Sequence, residues 1–355
     1  MKVGLVLGAG GVLGGAWLTG GLNALARETG WDPGSADFIV GTSAGSMVGA
    51  LVGAGVPPWF MVAHSRGETF AGVLDSEGRP AAEADRAAGA VFRVHRGLPG
   101  LGPGSLRMVA STLSNPLRHP PLQMVAGWLP AGVISTDSLK DVVRRAVPGR
   151  WVEHPNYWAV TCDYATGRRV PFGRVDSPAA EIADAVAASC AIPGFYRPVR
   201  IGGRRYVDGG VCSASNLDLL AGRGLDVVIC LNPLSSSDDP RSVNPLDWPS
   251  QLSRAANRRR LTHEARKVRG YGAKVVLIEP TAADLSAMGR NLMSPDRRDD
   301  VIATAEETVT KQLRSAGVRM RLDGLPAGET HKLARPAGPP SEWPAIGPAA
   351  ARRAA

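Results

Sequence analysis

Two stretches of this chain carry no charged residue: Val3 to Ala26 and Phe38 to Ala63. Each exceeds the roughly 18 apolar residues at which a membrane-spanning helix comes into question. The first also imitates a signal peptide, with Lys2 ahead of it and Ala24-Leu25-Ala26 near its end. The glycines argue against both readings. Gly4, Gly8, Gly10, Gly11, Gly14, Gly15, Gly20 and Gly21 all fall within the first run, and each would cost a free helix about 1 kcal/mol relative to Ala. The spacing predicts instead a short buried strand at Lys2 to Leu7, a Gly-rich turn and a helix from about Gly14 to Glu28. The second run repeats the order, with a strand at Phe38 to Val40, Ser43 at the turn and a helix to about Gly53. Strand, turn and helix taken twice is the order of a parallel sheet covered on both faces.

From about Ser65 to Pro130 that order breaks down. Gly97-Leu98-Pro99-Gly100, Gly102-Pro103-Gly104 and His119-Pro120-Pro121 punctuate irregular apolar patches, as in an inserted, partly helical cap. Regular signals return with an N-cap at Thr136-Asp137 and a helix over Ser138 to Ala146. There follow a strand at Tyr157 to Cys162, a helix at Ala180 to Ser189 and a hairpin around Arg197 to Val207. A strand at Asp226 to Leu231, a helix from about Gln251 to Arg269, a strand at Lys274 to Glu279 and a helix at Asp299 to Arg314 complete the pattern. The expected organisation is one α/β domain over residues 1–324, with the cap at 65–130, and a tail at 325–355. The tail holds Pro326, Pro336, Pro339, Pro340, Pro344 and Pro348 with few large apolar residues, and reads as disordered.

The 4 cysteines, Cys162, Cys190, Cys212 and Cys230, form no CxxC pair, which argues against a disulfide framework and a thiolate zinc site. A reducing, cytoplasmic setting without a metal fits best, with no transmembrane helix and no genuine signal peptide. The net charge of +9, from 41 Lys and Arg against 32 Asp and Glu, assigns no partner by itself. Seven basic residues between Arg254 and Arg269, against Glu264 alone, make a helix face suited to anionic lipid head groups, although a solvated face reads the same way. No nucleic-acid partner is expected, and the oligomeric state stays open.

Three sites carry chemistry. Gly8-Ala9-Gly10-Gly11-Val12-Leu13-Gly14 follows the first strand, where bare N–H groups at a helix N-terminus attract negative charge. That charge is either a dinucleotide pyrophosphate or the oxyanion of an acyl transfer. The dinucleotide fingerprint needs its third glycine one residue earlier and an acid at the end of strand two; this chain has Gly41-Thr42-Ser43 there. Gly41-Thr42-Ser43-Ala44-Gly45 fits the G-x-S-x-G nucleophile elbow in its strand–turn–helix context. A serine needs a base, yet His263 lies inside an Arg-laden helix, His331 in the tail, and the other four histidines near no signature. Tyr206-Val207-Asp208-Gly209-Gly210 supplies a carboxylate at a strand end, which alone would read as an Asp-Gly turn.

Together with Ala188-Ser189-Cys190-Ala191-Ile192-Pro193-Gly194, these motifs resemble, in order and over about Met1 to Leu220, the patatin-like phospholipases, a family of lipid acyl hydrolases. The resemblance implies a three-layer α/β/α fold with a mainly parallel central sheet and an inserted helical cap. It implies a Ser-Asp dyad without His or cofactor, with Ser43 as nucleophile, Asp208 as general base and Gly10 and Gly11 as oxyanion donors. Ala44 N–H would join them, and Gly41 and Gly45 would shape the elbow. Leu13 departs from the family, whose members usually carry Arg or Lys there, and a non-catalytic lipid-binding member of the same fold is the alternative. Burial beside Val207 and Val211 should raise the Asp208 pKa toward working pH. The scattered apolar residues of the insertion, among them Trp59, Val91, Phe92, Leu98, Met108, Leu117 and Trp128, suit an acyl channel as well as they suit an ordinary core.

Overall fold

In a computed structural model of the chain, the structure describes residues 1–68, 70, 93–94, 102–114, 121–147, 149–238, 244, 247–344 and 346. Its strands are β1 (Val3–Leu7), β2 (Phe38–Thr42), β3 (Arg93–Val94), β4 (Ile134–Ser135), β5 (Tyr157–Asp163), β6 (Arg169–Phe172), β7 (Val199–Ile201), β8 (Arg204–Asp208), β9 (Val227–Leu231) and β10 (Lys274–Ile278). Its helices are α1 (Gly11–Thr29), α2 (Ala44–Gly53), α3 (Pro58–Ser65), α4 (Leu106–Ser114), α5 (Pro121–Trp128) and α6 (Asp137–Ala146). After these come α7 (Ile182–Ser189), α8 (Trp248–Arg269), α9 (Ala282–Met288), α10 (Arg298–Arg314), α11 (Ala316–Leu322) and α12 (Thr330–Leu333).

The main sheet has eight strands in the order β10-β9-β1-β2-β5-β8-β7, with β6 also on β5. From β10 to β5 every pairing is parallel, while β8, β7 and β6 join antiparallel. The parallel strands read as unbroken apolar runs because helices cover both faces. One face buries Leu5, Leu7, Leu13, Trp17, Leu18, Leu22, Val186, Ile302 and Val309, drawn from β1, α1, α7 and α10. The other buries Val6, Val40, Val160, Val228 and Cys230 under Leu261, Ala265 and Val268 of α8. The expected mainly parallel α/β architecture is therefore present, and both uncharged runs lie in its centre. Among the described residues no helix is long and apolar enough to cross a membrane.

Of the expected insertion, β3 and two helices, α4 and α5, are among the described residues, and the helices have packed partners. They pack on the second face, where Met108 and Ala126 meet Cys162, Tyr164, Val207, Val211 and Cys212. The expected channel residues Val91, Phe92, Leu98 and Leu117 lie outside the described residues. The tail differs from its expectation of disorder as far as residue 344. The Trp59 indole N–H donates to the His331 carbonyl at 2.9 Å, and Lys332 Nζ donates to the Gly55 carbonyl at 2.6 Å. The Trp343 ring lies 5.5 Å from Trp59 and 5.4 Å from Phe70. A count of apolar residues missed this because two or three aromatic and long-chain contacts onto α3 hold the segment without a core of its own.

Candidate active site

The sheet register brings the sequence motifs together. β6 occupies one edge of β5 over Ala159 to Cys162. On the opposite edge β2 runs up to Thr42, opposite Val160, and β8 runs down from the other direction to Asp208, opposite Thr161. The two strands therefore meet head to head against consecutive residues of β5. Their ends carry Ser43 and Asp208, 165 residues apart in sequence.

Ser43 is one of two non-glycine residues with positive φ among the described residues, at φ 52° and ψ −121°. That strained turn lifts the side chain away from the sheet. The turn is possible because Gly45 lies directly on β1: a Cβ at Gly45 would collide with the Leu7 carbonyl. Ser43 N–H donates to Ser189 Oγ at 2.9 Å, and the same hydroxyl donates to the Val160 carbonyl at 2.6 Å. Ser189 thus ties the elbow to β5, a role the sequence motif around it did not disclose.

Asp208 is buried, and its backbone N–H donates to the Ala191 carbonyl at 2.9 Å. Burial raises its carboxyl to about 6, against the opposing pull of the Gly210 N–H, which donates to Oδ1 at 2.7 Å, and of the Ser43 hydroxyl. This is the rise expected from its apolar surroundings. Cys190 shares the site, near Ser43 and Ser46, but burial pushes its thiol up to about 12, so it stays protonated. His263 is exposed on α8.

The Gly-rich loop enters α1 through Gly11, whose φ of 64° is left-handed and open to glycine. Leu13 N–H donates to the Leu292 carbonyl at 3.0 Å and Gly14 N–H to the Gly10 carbonyl at 3.0 Å. The N–H groups of Gly10 and Gly11 have no acceptor among the described residues, and neither does that of Ala44 at the start of α2. These three donors are left over by two helix N-termini, where charge favours an anion. The Leu13 side chain is fully buried in the core.

One residue escaped the sequence reading. Asn216, fully buried and at φ 53°, donates from Nδ2 to Thr42 Oγ1 at 3.0 Å, to the Ser213 carbonyl at 2.6 Å and to the Gly209 carbonyl at 3.4 Å. It joins the residue before Ser43 to the residue after Asp208. Its own Oδ1 accepts from Arg169 Nη1 at 3.3 Å, and Arg169 also pairs with Asp218.

A serine at a strained strand-to-helix elbow thus stands with a buried carboxylate in a mainly parallel α/β fold. The patatin-like phospholipase family model matches residues 5–221, and the chain belongs to that family. Among its relatives are NTE family proteins of Mycobacterium bovis and Mycobacterium tuberculosis, each 29% identical over 133 residues. The match covers 36% of this chain and 36% of each relative, so the chain aligns with about a third of their length. Among solved structures, VipD from Legionella pneumophila is 16% identical, with 88% of this chain and 66% of VipD covered at a TM-score of 0.39.

Proposed function

We propose that this protein is a serine lipid acyl hydrolase that cleaves carboxylic esters of phospholipids or related lipids through a Ser43–Asp208 dyad. The observation that supports the reading is the head-to-head meeting of β2 and β8 on β5, with Ser43 at the end of one and the buried Asp208 at the end of the other.

Asp208 accepts the Ser43 proton as Oγ attacks the ester carbonyl carbon. The N–H groups of Gly10, Gly11 and Ala44 receive the oxyanion, which needs donors held in place before charge develops. Collapse of the tetrahedral intermediate breaks the ester C–O bond, and the leaving alcohol takes its proton from Asp208. Water then attacks the acyl-enzyme, giving its proton to Asp208, and release of the carboxylic acid returns a proton to Ser43. No step calls for a cofactor. A carboxylate near its ordinary pKa would be a poor base, and the raised value brings it closer to the task. Leu13 is fully buried in the core, and a hole built from backbone N–H groups needs no side chain at that position.

A fluorophosphonate probe should label the protein on Ser43, and Ser43→Ala should abolish both labelling and hydrolysis of acyl esters. Full esterase activity in Ser43→Ala would sink the reading. A screen of phospholipid, lysophospholipid and triacylglycerol esters, run beside that variant, identifies the substrate class.

A further inference from the structure

The sheet end that carries Ser43 and Asp208 also carries large apolar side chains turned to solvent. On α4, Leu106 and Leu113 stand seven residues apart, hence on one stripe, while Met108, Val109 and Thr112 pack beneath. On α5, Val125 and Trp128 share a stripe by their three-residue spacing. All four are more than half exposed. The helix pair is anchored at the far end of β5: Ser105 Oγ donates to the Tyr164 carbonyl, and Gln123 Nε2 donates to the Gly167 carbonyl at 2.9 Å. Two helices that are apolar both beneath and above need a second covering on the outer side.

A second pad stands on the same face of the sheet, farther along it. The buried residues of α8 are Leu261, Glu264, Ala265 and Val268, all in its C-terminal half. From Trp248 to Arg260 none is fully buried, so about 18 Å of helix extends past the core as an overhang, half-buried on one side, where Asn257 Nδ2 donates to the Leu234 carbonyl at 3.2 Å. Trp248 and Leu252, four residues apart on one stripe, are each more than half exposed. The overhang is tied to the site rim, since Arg290 Nε donates to Asp247 Oδ1 at 2.7 Å and Leu292, two residues on, receives the Leu13 N–H.

Cations accompany the first pad. Arg107 on α4, Arg168 after β5 and Arg205 on β8 are exposed, and none pairs with a carboxylate among the described residues. Arg205 instead donates to the Gly104 carbonyl at 3.2 Å and lies 5.4 Å over the Tyr164 ring. By contrast, Arg260 and Lys267 in the basic C-terminal half of α8 are engaged by Glu264 and Asp218. We propose that the active-site end of the molecule docks on an anionic lipid surface through the outer faces of α4 and α5 and the overhang of α8. Tryptophan rings and leucines would enter the interface and arginines would meet phosphates. Docking itself is independent of the esterase reading; only the turnover of lipid by the docked protein rests on it.

Full-length Ser43→Ala protein, which leaves vesicles intact, is to be cosedimented with phosphatidylcholine vesicles with and without about one third phosphatidylglycerol. Binding should require the anionic lipid and weaken with salt. Trp128→Asp and Trp248→Asp should each lower partition about tenfold, with circular dichroism unchanged. In the Ser43 background both should keep turnover of a water-soluble short-chain ester. Should an Asp variant misfold, Leu113→Ser and Leu252→Ser make the same test with smaller changes. Partition unchanged by these substitutions, absence of binding to either vesicle, or a dimer that the same substitutions dissociate would overturn the proposal. Vesicle binding without ester turnover in the unsubstituted chain would instead retain the docking face and remove the esterase reading.

Discussion

At the scale of single residues, Asp208 carries opposite demands. As a base it must be ionised, so esterase activity should rise with pH through about 6 and be lost below it, where the carboxyl holds its proton. For the fold the sign reverses. The folded carboxyl titrates at about 6 against 3.8 for its ordinary value, so its contribution to stability is greatest at low pH and declines as pH rises between the two. At pH 8 the buried charge costs about 2 to 3 kcal/mol. Asp208→Asn should therefore abolish turnover while raising stability at pH 8 by about 2 kcal/mol, as read by urea unfolding. A variant no more stable than the parent would show that the charge is better solvated than its burial implies. Asn216 offers a second test. Asn216→Asp keeps size and tolerance of positive φ but replaces the amide donors facing Thr42, Ser213 and Gly209 with a carboxylate. We expect kcat to fall about tenfold or more with KM for a short ester little changed. The pH midpoint should move upward, because a nearby negative charge disfavours ionised Asp208. A variant with a lower melting temperature but an unmoved pH midpoint would reduce Asn216 to a structural role.

At the scale of elements, the order of strands and helices was legible because apolar runs and glycines mark them without long-range information. Helix α1 begins at Gly11, three residues earlier than its expected start, since the paired glycines already adopt the turn. β6 and α9 gave no signal, being a short edge strand and a short capped helix. The meeting of β2 and β8 was not legible at all. Neither strand's sequence says that both pair with the same edge of β5, and only that register turns an Asp-Gly turn into a partner for Ser43. The brace from α7 was equally hidden, because Ser189 acts through a backbone N–H and a carbonyl rather than through the reacting atoms. Ser189→Ala leaves both of those buried groups without their partner, which should cost about 1 to 3 kcal/mol. It should also lower kcat by loosening the elbow, while Ser189→Thr, which keeps the hydroxyl, should recover part of the loss. Equal activity in Ser189→Ala and the parent would mean that the strained turn is held by Gly45 against β1 alone.

At the scale of the whole molecule, residues 326–344 act as a strap that returns to α3, the element leading into the insertion. Its contacts are of different kinds and include the Trp59–His331 and Lys332–Gly55 hydrogen bonds, the Gly328 N–H to Gly30 carbonyl bond at 2.7 Å, the Trp343 ring against Trp59 and Phe70, and Arg335 paired with Glu68 at 2.8 Å. The exposed ion pair adds little. The aromatic contacts and the hydrogen bonds to backbone carbonyls should together be worth about 2 to 4 kcal/mol, less the entropy of ordering the segment. Truncation after Leu325 should then lower the melting temperature by a few degrees and expose Trp59 to oxidation and quenching. Trp343→Ala should reproduce about half of that change. None of these contacts touches Ser43, Asp208 or the Gly-rich loop, so turnover of a short-chain ester at 25 °C should survive truncation. A truncated protein with an unchanged melting temperature would show that the strap adds nothing to α3. One that melts normally but loses ester turnover would show instead that the strap reaches the site through the insertion that α3 leads into.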